Sequence, residues 1–333
     1  MRAIAVNTPG DIALIQVPRP ESRPGWVRIR VGYAGICGTD YHIYSGHHPF
    51  LEYPRVIGHE LAGTVIEDGE GFAEGDVVVV NPYLPCYACP ACREGKTNCC
   101  ETLSVIGVHS DGGMSDELAM PAANLYRADG ISLRDAAMVE FLAIGAHAVR
   151  RTALAGGERV LVVGGGPIGL GTAFFARIAG AEVAIYDLSP DKRRAAEDFG
   201  FAAFGPEDRE TAAWTGLRGS GFDAVFDATG NIKAMNQSIF EVRNGGNYTL
   251  VGVIQGDLVF PDAEVHRREL TIRASRNATG EDFEHVMASI RAGQVPTEKL
   301  ATHSTTIANV ARDLPLWAET REGVIKALVE ISP

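Results

Sequence analysis

The sequence lacks any run long and apolar enough to span a membrane. Its longest uncharged stretch, residues 160–176, contains GGGPIGLG and falls short of the ~20 mostly apolar residues a spanning helix needs. It also lacks a basic face: the formal net charge is -12, and the only basic runs, DKRR at 191–194 and HRRE at 266–269, are short and mixed with acids. Nucleic acid and anionic membrane would both be repelled, so neither is expected as a partner. The amino-terminal MRAIAVNTPGD has too brief an apolar run before Asp11 for a signal peptide, and no other segment points to export. The expectation is therefore a reducing, cytoplasmic setting. No internal repeat or low-complexity tract is present. Cysteine is scarce, six residues in all, yet five of them fall in CYACPACREGKTNCC at 86–100. In a reducing compartment such a cluster more often binds metal than forms disulfides.

With 333 residues the chain is too long for one ordinary core, so two domains are expected. The first third is rich in Gly, Pro and β-branched residues, with short strand-like runs such as WVRIRVGYAG, LAGTVIE and DVVVVNP. From about Arg151 strand and helix patterns alternate: RVLVVG, IGLGTAFFARIAG, EVAIYD, SPDKRRAAEDFG, FDAVFDATG and YTLVGV. That alternation specifies an α/β unit, a doubly wound and mostly parallel sheet with helices on both faces. Beyond about Ile272 it stops, and the tail reads as helix and then strand.

Within RVLVVGGGPIGLG, Gly164, Gly166 and Gly169 stand in GxGxxG spacing between an apolar strand and a helix, together with Pro167 and Ile168. Gly164 suits the tight turn, Gly166 the close approach of a pyrophosphate and Gly169 the packing of helix on strand. The next strand ends in Asp187, eighteen positions after Gly169. A carboxylate there accepts hydrogen bonds from the ribose hydroxyls of NAD and repels the 2′-phosphate of NADP, although Arg193 and Arg194 leave room for NADP. A plain helix cap near Ser189 is the structural alternative.

Cys37 lies in GICGTDYH, and GHE follows with His59 and Glu60. One thiolate, one imidazole and one carboxylate make a zinc set with an open position, as catalysis needs. Each residue alone has a plainer explanation: a small buried thiol, a core histidine, an exposed charge. Glu140 is the only formal charge in the apolar AAMVEFLAIGAHAV, and a buried carboxylate there requires a cation, a hydrogen-bond donor or solvent.

Together, GICGTDYH, GHE, the spaced cysteines, GGGPIG and YD resemble, over essentially the whole chain and in the same order, the zinc-containing medium-chain alcohol and polyol dehydrogenases. The resemblance implies a Rossmann NAD-binding domain (149–275) inserted into a split, mainly β, GroES-like catalytic domain (1–148 and 276–333). It implies two zinc ions per chain and NAD as cofactors. Cys37, His59 and Glu60 match the catalytic zinc ligands, with Glu140 at an additional acidic position on the ion or its water. Cys86, Cys89, Cys92 and Cys100 match a structural zinc site of four thiolates, with Cys99 spare. Thr39 and His42 match a proton relay, and Gly164, Gly166, Pro167, Ile168, Gly169, Asp187 and Arg193 match the cofactor site.

Two departures stand out. Phe141 follows Glu140 where relatives usually carry proline, and IEDGEGFAEGDVV is shorter than its counterparts. The stretches HIYSGHHPFLEYPRVIGHE, VIGVHSDGG and RRELTIRASRNATG are most similar to bacterial aldonate dehydrogenases of the L-galactonate and L-gulonate type. On that likeness Arg276 and Asn277 line the substrate cleft, with His48 and His109 as further candidates. The implied activity is reversible oxidation of a secondary alcohol of a sugar acid to a ketone. The alternatives are a sorbitol-like polyol dehydrogenase and, in another class, a non-catalytic zinc and NAD sensor. A homodimer or homotetramer is expected, joined through the edge of the Rossmann sheet, with YTLVGVIQGDLVF as the candidate edge segment.

Overall fold

The computed structural model describes residues 1–48, 51–320 and 323–332. Pro49 and Phe50, inside the HIYSGHHPFLEYPRVIGHE stretch, lie outside the described residues. The chain forms two compact units, Met1–Phe141 with Thr279–Pro333, and Leu142–Ala278. The first join falls inside the helix Val139–Thr152, so the change of pattern near Arg151 marks where that helix ends.

The first unit is built on the strand Trp26–Ile36. Val27, Ile29 and Val31 turn into the core while Arg28 and Arg30 turn outward, the period-2 pattern of a half-buried strand. Each aliphatic side chain buried in this way contributes about 1.5–3 kcal/mol. Next to it on one side lies Glu60–Val65, followed by Val77–Val80 and Leu125–Arg127; on the other lie Lys326–Glu330 and Ala301–Thr306. Glu117–Pro121 also pairs with the first half of the long strand. The carboxy-terminal strand is thus an interior member of a sheet begun near the amino terminus, the split arrangement that the resemblance implies. In register, Gly35 faces Glu60 on one side while Ile36 faces Ala327 on the other. The chain leaves Ile36 directly into the helix Gly38–Tyr44, for which Cys37 is the N-cap.

The second unit carries six strands, all parallel, in the order Ala202–Phe204, Glu182–Tyr186, Arg159–Val163, Phe222–Asp227, Val242–Leu250 and Thr271–Ala274. Numbered along the chain this is 3-2-1-4-5-6, the doubly wound Rossmann order. The order reverses between Arg159–Val163 and Phe222–Asp227, so the loop after Val163 opens at the switch point where such sheets bind ligands.

The apolar segment expected at the edge of this sheet lies partly inside it. Tyr248, Thr249 and Leu250 of YTLVGVIQGDLVF belong to Val242–Leu250, which is paired on both sides, and the edge strands are Ala202–Phe204 and Thr271–Ala274. The apolar run misled because a strand buried on both faces is more apolar than an edge. Beyond that strand Val253 and Val259 are exposed. Among the described residues no helix is long and apolar enough to cross a membrane.

Candidate active site and metal centres

Three elements converge in the first unit. Cys37 caps the helix Gly38–Tyr44, His59 immediately precedes the strand Glu60–Val65, and Glu60 opens it. Their donor atoms, one sulfur, one nitrogen and one oxygen, lie within 4.8 Å of one another. Cys37 is half-buried, whereas His59 and Glu60 are buried. Asp40 Oδ2 accepts the Cys37 backbone N–H at 2.8 Å, which fixes the start of the helix and so the thiol. Asp40 Oδ1 stands 3.9 Å from His59 Nδ1. The chemistry of this donor set fits zinc with an open position: a soft thiolate, an imidazole and a carboxylate in a largely dry setting.

Electrostatics at the set point the same way. Burial pulls the His59 imidazole down, but the Cys37 thiol and then Asp40 outweigh it, and its pKa lies well above the ordinary value. A divalent ion would displace that proton, as metal binding to such ligands generally does. Glu140 is pushed up to about 7, first by burial and then by Glu60, against the pull of His59. Its Oε1 accepts the Tyr83 hydroxyl, while Oε2 is buried without a partner in the chain. Glu140 therefore presents one unsatisfied buried oxygen, although it lies outside the tight donor group of Cys37, His59 and Glu60.

Thr39 Oγ1 lies 3.7 Å from Cys37 Sγ. His42, three residues further along the same helix, is exposed. A hydroxyl next to the donor set and an imidazole one turn away at the surface have the order a proton path needs.

The cysteine-rich loop is a separate centre. Cys86, Cys89, Cys92 and Cys100 bring four sulfurs within 4.8 Å of one another, and none of the six cysteines forms a disulfide. Cys86 Sγ accepts the backbone N–H groups of Ala88 at 3.4 Å and Cys89 at 3.3 Å, and Cys100 Sγ accepts that of Cys86 at 3.2 Å. Those amides lower the Cys86 thiol to about 6, whereas burial raises Cys92. Four sulfurs in hydrogen-bond-stabilised turns fit a closed tetrahedral zinc site.

In the second unit Gly164 adopts a φ of 101°, open to glycine and strained for other residues. A Cβ on Gly169 would stand 1.7 Å from the Gly164 carbonyl oxygen, so only glycine lets the helix Pro167–Ile178 approach its strand. A Cβ on Gly166 would meet nothing, leaving open space over the helix N-terminus that fits a pyrophosphate. Pro167 and Ile168 form the first helical positions. Asp187 accepts the N–H of Gly165 at 2.7 Å and of Ser189 at 2.8 Å, so it braces the glycine turn and the next helix together. Arg193 donates to the carbonyls of Asp187 and Leu188 and pairs with Glu207, which ties its guanidinium to the turn.

The four substrate candidates are placed differently. His48 is half-buried, and His109 Nδ1 accepts the Val105 N–H at 3.0 Å as part of its own loop. In the second unit Arg276 is exposed, and Asn277 sits at a φ of 52° with its Nδ2 buried and unpaired.

Sequence reasoning missed Lys326, Tyr83 and Asp40. Lys326 Nζ donates to both carboxylate oxygens of Glu60 at 2.7 Å, and Tyr83 holds Glu140. The available signal for Lys326 was a lysine at the start of an apolar strand-like run, KALVE, where a snorkelling surface side chain is equally compatible.

The comparisons agree with this geometry. Residues 23–130 match the alcohol dehydrogenase GroES-like domain family, and residues 167–292 match the zinc-binding dehydrogenase family. The chain is 44% identical over 320 residues to L-galactonate-5-dehydrogenase of Escherichia coli K12, covering 93% of this chain and 94% of that one. It is 32% identical over 311 residues to sorbitol dehydrogenase of Halalkalibacterium halodurans, covering 90% of each. Among solved structures, an alcohol dehydrogenase from E. coli CFT073 complexed with the cofactor NADH superposes with a TM-score of 0.92 at 29% identity, covering 99% of each chain. From the two family matches and the full-length likeness it follows that this chain belongs to the zinc-binding, medium-chain alcohol dehydrogenases, enzymes acting on CH–OH donors.

Proposed function

We propose that the protein oxidises a secondary hydroxyl of a sugar acid, an aldonate of the L-galactonate or L-gulonate type, to the ketone. The observation that carries this is the open set of Cys37, His59 and Glu60 in a chain 44% identical to an L-galactonate-5-dehydrogenase. Zinc, when bound by that set, supplies Lewis acidity at the substrate hydroxyl, and NAD on the glycine loop supplies the hydride acceptor. Thr39 takes the hydroxyl proton, and His42 passes it to solvent. Glu140 adds a carboxylate beside the ion, and Cys86, Cys89, Cys92 and Cys100 hold a second, structural zinc.

On the cofactor side, the amides at the start of the helix Pro167–Ile178 receive the pyrophosphate. Each Asp187 oxygen keeps a lone pair beyond its backbone bond, enough to accept a ribose hydroxyl. Arg193 holds the turn that presents Asp187. Arg276, with Asn277, His48 and His109, recognises the substrate, the guanidinium clamping its carboxylate. The reading includes a cytoplasmic setting and a homodimer or homotetramer; a monomer in light scattering would count against the latter.

A polyol substrate is the second reading, favoured by the 32% identity to a sorbitol dehydrogenase. The deciding measurement is kcat/KM for L-galactonate, L-gulonate and sorbitol with the wild type and Arg276→Met. A carboxylate clamp predicts an aldonate-specific loss of about ten- to a hundredfold, and equal losses on aldonate and polyol would remove Arg276 from that role. Failure to reduce NAD with any sugar acid or polyol would favour a non-catalytic sensor.

A further inference from the structure

Among the described residues Lys326 is the only buried lysine or arginine, and nothing in the chemistry above uses it. Its strand, Lys326–Glu330, is separated from Glu60–Val65 by the long strand Trp26–Ile36, so the two side chains meet across that middle strand. They meet over Gly35, where a Cβ would come within 2.0 Å of Glu60 Oε2. All three ammonium hydrogens have acceptors: Glu60 Oε1 and Oε2 at 2.7 Å and the Ile36 carbonyl at 3.2 Å. The Phe141 ring lies 4.3 Å away. Both oxygens of a carboxylate in the donor set are therefore already bound by a buried cation.

We propose that Lys326 is a positioning residue that competes with the catalytic metal for Glu60. In the metal-free protein its ammonium group occupies both oxygens of the buried Glu60 carboxylate; in the loaded protein it restrains how tightly Glu60 holds the ion. This rests on the reading that Cys37, His59 and Glu60 bind zinc. Breaking a buried pair on one side leaves an uncompensated charge, which a metal ion then satisfies. Removing a cation from beside a cation site also removes repulsion between them.

The test compares wild type, Lys326→Met, Lys326→Arg, Glu60→Gln and the double variant Lys326→Met/Glu60→Gln as full chains. Zinc retention is titrated against a graded chelator, and melting is followed with and without metal. The ion of interest is the one lost in Cys37→Ala. Lys326→Met is expected to hold that zinc about tenfold or more tighter, with a larger drop in Tm for the metal-free protein than for the loaded one. Lys326→Arg keeps the wild-type affinity. Glu60→Gln strands the lysine and weakens binding, and adding Lys326→Met recovers about tenfold or more.

Unchanged or weaker zinc binding in Lys326→Met, or equal Tm losses in both forms, overturns the proposal, since a purely structural lysine gives that result. Should Lys326→Met not fold, lack of recovery in the double variant overturns it instead. A wild type that holds only the four-cysteine zinc sinks the metal reading, and with it this inference; two zincs with an unresponsive Lys326→Met sinks the inference alone.

Discussion

Cys86, Cys89, Cys92 and Cys100 meet within one short loop, whereas the other centre draws Cys37 from the end of one strand, Glu60 from the start of a second and Lys326 from a third, 290 positions from Ile36. The loop is partly exposed, and its sulfurs are stabilised by neighbouring amides. In the other set His59 and Glu60 are buried and stabilised by charges from elsewhere in the fold, Asp40 beside His59 and Lys326 on Glu60. A closed set of local thiols has no vacant position and tolerates its surroundings. An open set in a dry site depends on register and on charge balance, and its ligands come with partners that tune them. Metal loss should therefore cost stability at the first centre and chemistry at the second.

The largest effect expected from this difference is at Cys37. Cys37→Ala should lower kcat/KM by about a thousandfold or more and remove one of two zincs, with little change in Tm. NAD reduction and metal content on the same sample check it; retained activity with one zinc missing would break the distinction. Gly35→Ala should come next. The added methyl would stand 2.0 Å from Glu60 Oε2, so the carboxylate is pushed out of its place among the donor atoms. A loss of about tenfold in zinc affinity at this centre, read by chelator competition, is expected, with the loop zinc unaffected.

Cys92→Ser should do the reverse. It opens the four-sulfur set, so Tm should fall by roughly 10 °C while activity below the transition stays within about twofold. Scanning calorimetry together with kinetics would show whether the loop supports only the fold. Smallest is Cys99→Ser: Cys99 is exposed and lies outside the four-sulfur group. It should keep both zincs and shift stability by no more than about 0.5 kcal/mol. A lost zinc there would mean that Cys99 and Cys100 exchange roles.

Much of this was legible in the chain because the signals are local. The spacing of the cysteine loop places its ligands within reach of one another, and the glycine turn between an apolar strand and a helix is set by conformational and steric needs of neighbouring residues. Glu60 was harder to read. Beside His59 it suggested a ligand, yet its sequence neighbours say nothing of burial, and an exposed charge was the plainer explanation. YTLVGV misled for a related reason, since hydrophobicity reports burial and not which strand lies at an edge.

The sequence by itself determined the two-part organisation and the parallel α/β unit, and it singled out the glycine turn and both groups of candidate metal ligands, each through a pattern confined to tens of residues. Only the tertiary structure decided that Tyr83 holds Glu140 and that Lys326 reaches Glu60 over Gly35. Strand order and register fix those contacts, and they bring together residues whose separation along the chain carries no trace of their meeting.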